Sequence, residues 1–284
     1  MSEFKKLILD RRDAITAITL NRPECHNALD RELSDELNDA VRRVREDRDC
    51  RIMILRGAGE TFCAGDDLKD FMTWQVDDPI RGHDPYWQVR KYQETVQIIE
   101  DLDAVTIAAV DGACTGGGLE LTLVCDFVIA TRRSRWGMPE IDWGITPGWG
   151  GTSRLARAVG WRKAKEWNLI GQLFTGEVAE EHGLVNRLCE PEELSGEVDS
   201  LVEVMLDKNR SAVRRTKFIM NKGIDQHISA SLAMEVAIMP YPVNVEKQFV
   251  ENQASLIDFQ TKEAREKRRL KSKYFWQEAP QAQQ

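Results

Sequence analysis

Three short apolar runs, at 51–56, 105–110 and 127–130, alternate with stretches of helical spacing, and this alternation constrains the fold more than any other feature of the chain. Each run is rich in Ile, Val or Ala and too short for a helix, so each reads as a buried strand. The stretches at about 85–102 and 118–125 read as helices between strands. Strand–helix–strand connections within one sheet cross over right-handed, which makes the sheet mainly parallel. Ahead of it, residues 6–21 form two β-rich runs split by a charged turn at 10–13, a hairpin. A helix is expected from Asn27 to Arg45, because Leu29, Leu33, Leu37, Val41 and Val44 recur at helical spacing. From about 160 the β signal fades, and 161–171, 177–183, 191–207, 210–223 and 227–270 read as helical. The expected organisation is an α/β core over 1–200 and a helical region over 201–284. Residues 77–85 carry two prolines and a glycine and read as a loop placed where a lid could lie.

Charge and cysteine usage remove several function classes. Lys plus Arg number 39 against 47 for Asp plus Glu, a net charge of −8, which argues against a nucleic-acid coat. No stretch approaches the roughly 20 apolar residues of a membrane helix. The first residues place charges on both sides of a very short apolar run, unlike a signal peptide, so a cytoplasmic location is expected. Six cysteines without a CxxC pair, in a chain of 284 residues, are expected to be free thiols. Four isolated histidines offer no zinc-ligand spacing, and no metal site is expected.

Chemistry concentrates in three segments. Gly116, Gly117 and Gly118 follow a strand and open an apolar helix, so their amides sit at a helix N-terminus where negative charge is favoured. An oxyanion developing from a carbonyl is such a charge. Glu120 lies in that first turn among Leu119, Leu121, Leu123 and Val124, where burial would raise its pKa into the range of a general base. The solvent-facing helix glutamate is the competing reading. Glu140 follows Pro139 in a loop rich in Gly, Pro and Trp, with Asp142 close enough to be mistaken for it. Two carboxyls in different settings can divide acid and base work. The third segment, Phe62 to Phe71, follows a glycine turn; its backbone could offer a second amide, with a helix expected from Asp66.

These segments together resemble the crotonase (enoyl-CoA hydratase/isomerase) superfamily over nearly the whole chain. The matching residues are Leu20, Asn21, Arg22 and Pro23 with Asn27, Ala28 and Leu29; Phe62 to Lys69; Ala109 to Asp126; Gly137 to Gly151; Leu173 to Gly176 with Ala179 and Gly183 to Asn186; and Glu266, Lys267 and Arg268 with Phe275. The resemblance implies an α/β fold, a crotonase-like ββα spiral core with a C-terminal helical trimerisation region, and assembly as a homotrimer or as a hexamer formed from two trimers. It implies an acyl-CoA substrate, with coenzyme A entering as part of it and no separate cofactor. By position, the amides of Asp66 and Gly117 would hold the thioester oxygen. Glu120 would act on water and Glu140 would supply the Cα proton. Ala64, Lys69, Gly116, Trp143, Pro147 and Gly148 would contact substrate, with Lys69 and the basic C-terminal segment facing CoA phosphates.

The pattern departs from the family in two places. Asp66 stands where a small or apolar residue is usual, and its carboxylate would oppose an oxyanion if it turned inward. Trp136, Trp143 and Trp149 make the second-glutamate loop unusually aromatic, and its stretch from Ile141 to Gly148 is similar to the corresponding loop of hydroxycinnamoyl-CoA hydratase-lyases, which lack a glutamate at the position of Glu120. Hydration of an enoyl-CoA is therefore expected, with an aromatic or cyclic acyl group in view. The alternatives are a hydratase-lyase, another crotonase-fold isomerase or C–C hydrolase, or an RNA-binding homologue. The last rests on seven basic residues between Lys262 and Lys273, interrupted by Glu263 and Glu266.

Overall fold

The computed structural model describes residues 4–73 and 85–238. The opening hairpin is β1 (Leu7–Arg12) and β2 (Ile15–Leu20), antiparallel, with the turn narrowed to Asp13 and Ala14. Arg11 and Arg12 belong to the strand rather than to the turn expected from their charge, because their side chains point to solvent from the sheet edge. Helix α1 (Arg31–Glu46) begins four residues later than its apolar spacing suggested. Asn27 adopts a left-handed φ of 54° and spends its amide on the Ala58 and Thr61 carbonyls at 3.0 and 2.6 Å, so it braces a turn. Asp30 then caps the helix by accepting from the Leu33 amide at 2.8 Å. Leu33, Leu37, Val41 and Val44 form its buried face.

Then follow β3 (Ile52–Gly57), α2 (Leu68–Thr73), α3 (Pro85–Glu100), β4 (Val105–Val110), β5 (Ala113–Thr115), α4 (Gly117–Thr122), β6 (Phe127–Thr131) and β7 (Arg135–Gly137). The chain continues through α5 (Gly151–Val159), α6 (Trp161–Ile170), β8 (Phe174–Thr175), α7 (Gly176–Glu181), β9 (Arg187–Cys189) and α8 (Leu194–Leu206). It ends, within the described residues, on α9 (Arg210–Gly223) and α10 (Ile228–Ile238). The main sheet has the order β1-β2-β3-β4-β6-β9, parallel from β2 onward. β4 is buried at every position, as a central parallel strand covered on both faces must be. Ala108 and Val110 pack into the larger core with α1, α3 and α4 residues; Val105, Ile107 and Ala109 pack against Val198, Leu201 and Val202 of α8.

Two short strands late in the chain went unread in the sequence. β9 closes the main sheet, and β8 joins β5 and β7 in a second sheet of order β5-β7-β8. In that sheet β5 and β7 run parallel, pairing Cys114 with Trp136 and Thr115 with Gly137. The described residues fall into two compact units, one up to Arg214 and the other from Arg215. In the second unit Met220, Ile228 and Leu232 lie exposed. The loop read at 77–85 lies outside the described residues except for Pro85, which opens α3. The basic run at 262–273 and the chain end lie outside them too.

Candidate active site

The small sheet explains why the two glutamates meet. β5 runs into Gly116 and the helix carrying Glu120, while β7 runs into Met138, Pro139 and a short 3-10 helix (Pro139–Trp143) carrying Glu140. Because these strands are parallel neighbours, both chains emerge at the same end, and the Gly116 amide donates to the Gly137 carbonyl at 2.9 Å. Gly116 adopts φ 52°, and a Cβ there would lie 2.9 Å from Glu140 Oε1. Glycine is required on both counts.

The third segment joins through Cys63, whose amide donates to Ala113 while its carbonyl accepts from Thr115. The turn after it folds against the glycine triplet. A Cβ on Gly65, φ 94°, would lie 2.9 Å from the Thr115 carbonyl and 3.4 Å from the Gly117 amide nitrogen. The amides of Asp66 and Gly117 therefore belong to touching turns. Gly117 is the first residue of α4, where the helix supplies its amide no acceptor. Asp66 is joined to Leu29 by a bridge whose bonds use the Gly65 carbonyl and the Asp67 amide, leaving the Asp66 amide outside it. The helix expected from Asp66 begins at Leu68, because Asp66 is taken up in that bridge.

Glu120 is 1% exposed and Glu140 8%. Glu120 Oε1 accepts from the Gly151 amide at 2.5 Å. The second oxygen of each carboxyl is buried without a hydrogen-bond partner among the described residues. Burial pushes the Glu120 carboxyl well up, and the charge of Glu140 adds to that, against the opposing bond from Gly151. Burial raises Glu140 to about 7, with Asp66 adding like charge. Asp142 is exposed, so Glu140 is the buried one of the two acids of that loop. A solvent-facing Glu120 is excluded by its own burial.

Trp149 is the residue that sequence reasoning under-weighted. It is fully buried, stacks on Tyr92 with ring centres 4.2 Å apart, and donates from Nε1 to Asp66 Oδ1 at 3.0 Å. Its place between Gly148 and Gly150 was visible, but its partners stand far away in sequence. Burial raises Asp66 to about 6, partly offset by the Trp149 bond. Trp136 is also fully buried and donates to Ser134 Oγ, a core role, whereas Trp143 is 61% exposed.

The remaining residues expected at the site divide between its floor and its rim. The Ala64 carbonyl accepts from Thr115 Oγ1 at 3.0 Å, which ties it to β5. Gly148 and half-buried Pro147 lead into Trp149, and a Cβ on Gly148 would meet Val89 and Tyr92. Lys69 is exposed on α2. All six cysteines are free thiols. Among the described residues no cluster of metal-ligating side chains occurs, and no helix is long and apolar enough to cross a membrane.

Comparison with known proteins gives a consistent set of relatives. The family model described as enoyl-CoA hydratase/isomerase matches residues 10–266. The crotonyl-CoA hydratase of Syntrophomonas wolfei is 33% identical over 237 residues, covering 82% of this chain and 87% of that protein. The short-chain-enoyl-CoA hydratase of Clostridium acetobutylicum is 33% identical over 238 residues, again with 82% and 87% covered. The crystal structure of an enoyl-CoA hydratase from Bacillus anthracis superposes with a TM-score of 0.81 at 30% identity, over 89% of this chain and 97% of that one.

Proposed function

The chain belongs to the enoyl-CoA hydratase/isomerase family, and from that membership we propose that it adds water across the α,β double bond of an acyl-CoA thioester. The observation that carries this reading is the pair of buried carboxyls, Glu120 and Glu140, each with one unpartnered oxygen, beside the touching turns of Asp66 and Gly117. The amides of Asp66 and Gly117 bind the thioester oxygen and stabilise the enolate as charge moves onto it. Burial and like charge disfavour ionising both glutamates, so the pair holds a proton near neutrality. Water then gives a proton to the ionised member as its oxygen attacks Cβ, and the protonated member supplies Cα. Glu120 acts on the water and Glu140 on Cα, the assignment that the family resemblance implies.

No resident cofactor enters this scheme, since coenzyme A arrives with the substrate. Lys69 meets a CoA phosphate from the rim, and Ala64, Gly116, Pro147 and Gly148 line the substrate path. The stacked Trp149 and Tyr92 beside Gly117 favour planar acyl groups, aromatic or cyclic, with exposed Trp143 reaching over the acyl group from outside. The exposed apolar residues of α10 fit a homotrimer or a pair of trimers, which light scattering would report.

The test is product analysis by mass spectrometry with crotonyl-CoA, longer enoyl-CoAs and cinnamoyl-CoA. Gain of one water, giving a 3-hydroxyacyl-CoA, is expected. A shifted double bond, a cleaved C–C bond, or no turnover of any thioester would overturn the hydratase reading.

A further inference from the structure

The geometry points to the Asp66 side chain as a positioning residue that, through Trp149, sets Glu120 in place and tunes the glutamate pair. This rests on the hydratase reading only for what the pair does. Asp66 is already distinguished by its amide; its carboxyl has a separate task. Oδ1 accepts from the indole N–H of Trp149 at 3.0 Å, which holds the carboxyl on the indole side of the turn. The indole is pinned on its face by Tyr92. Two residues on, the Gly151 amide donates to Glu120 Oε1 at 2.5 Å. The backbone between them is short and fixed, with Gly150 at φ 104° and the Trp149 carbonyl accepting from Arg154, itself paired with Glu100 at 2.9 Å. A side chain from one turn thus anchors the segment that orients a glutamate from another. Positioning of this kind matters because displacements near 1 Å cost about 10²-fold in rate.

The charge of Asp66 acts as well. The groups that face it or its partners are Glu120 from α4, Glu140 from the 3-10 helix, Asp70 from α2, Tyr92 from α3 and the thiol of Cys63. The Arg154 guanidinium on the Trp149 carbonyl is paired with Glu100, and each of the groups that act on Asp66 or feel its charge is acidic or neutral. An ionised Asp66 therefore favours the protonated form of its neighbours, Glu140 and Glu120 among them.

The full-length protein with Asp66→Ala, Asp66→Asn or Trp149→Phe tests this by two readouts. In hydration of crotonyl-CoA, Asp66→Ala lowers kcat by about 10–100-fold with a smaller change in KM. Asp66→Asn keeps a carbonyl acceptor for the indole and restores most of that loss. Its alkaline limb moves to lower pH, because Glu140 loses a negative neighbour. Trp149→Phe matches Asp66→Ala, and the double variant is no worse than the weaker single. The second readout, an infrared titration of the buried carboxyls assigned with Glu120→Gln and Glu140→Gln, does not need turnover. Asp66→Asn lowers the Glu140 midpoint. Losses that multiply in the double variant, or a Glu140 midpoint unmoved by Asp66→Asn, would overturn the inference. A wild type that hydrates no thioester while the midpoint still moves would sink the hydratase reading and leave the tuning of the glutamate pair by Asp66 standing.

Discussion

Asp66 and Asp67 are neighbours in the chain and face two regions with opposite electrostatics. Asp67 looks toward Arg22, which donates to its Oδ2 at 3.0 Å and lies 3.3 Å from Asp30, with Lys6 also on Asp30. Burial works against the Asp67 charge, but Arg22 and the amides of Asp70 and Lys69 outweigh it and lower its pKa. Asp66 looks the other way, to Trp149, Glu120 and Glu140, where no cation answers three carboxyls among the described residues and burial raises all of them. One turn thus divides a region whose carboxyls are paired with cations from one whose carboxyls are buried beside each other without one. Strongly raised acids in a niche of this kind are the usual mark of a functional site.

The difference can be broken most forcefully at the glutamates. Glu120→Gln and Glu140→Gln preserve shape and remove proton transfer, so each should lower kcat for crotonyl-CoA by about 10²–10⁴-fold while binding persists. Arg22→Met, on the other side of the turn, should change folding stability far more than kcat. A loss of kcat on the glutamate scale from Arg22→Met would erase the distinction between the regions.

Stability against pH sharpens the contrast. Glu140 has a folded pKa of about 7, above its ordinary 4.5, so its favourable contribution is present below the ordinary value and lost as pH rises through about 7. At pH 8 Glu140→Gln should be more stable than wild type by on the order of 3 kcal/mol, since each pH unit between the folded and ordinary values is worth about 1.4 kcal/mol. The gap should close below about pH 4.5, which chemical denaturation at the two pH values would measure. Asp67 carries the opposite sign: its contribution is present above the ordinary carboxylate range and lost as pH falls through its lowered value. Arg22→Met should therefore cost about 2 kcal/mol at neutral pH, less than the roughly 3–5 of a fully buried pair because the partners are partly exposed. That cost should shrink in acid. The smallest effect is expected outside both regions. Lys69→Ala should raise KM for CoA thioesters by about 3–10-fold with less change in kcat, the signature of uniform binding.

Much of this arrangement could be read from residues alone, for reasons that differ by element. β4 was legible because a strand buried on both faces is a continuous apolar run. The start of α1 was misplaced because Leu29 continues the helical period although Asn27, in a left-handed turn, is tied to the next loop. β5 and β7 are three residues each, too short to show a period, yet their parallel pairing is what brings Glu120 to Glu140. The two glutamates were therefore identifiable singly, and the reason they meet was not. Glu140 was preferred to Asp142 from the sequence, and the two differ in burial, which the loop's composition does not show. The Asp66 carboxyl was a concern for the oxyanion only if it turned inward; the partner it takes, Trp149, stands in a distant segment that no sequence pattern ties to it.

The central claim is that Glu120 and Glu140 act as one unit on one water molecule. The direct measurement is kcat for crotonyl-CoA hydration by Glu120→Gln/Glu140→Gln beside the two single variants and wild type. Groups that work as a unit are non-additive, so the double variant should be little slower than the weaker single. Losses that multiply, or a Glu120→Gln variant that hydrates at nearly the wild-type rate, would contradict the account.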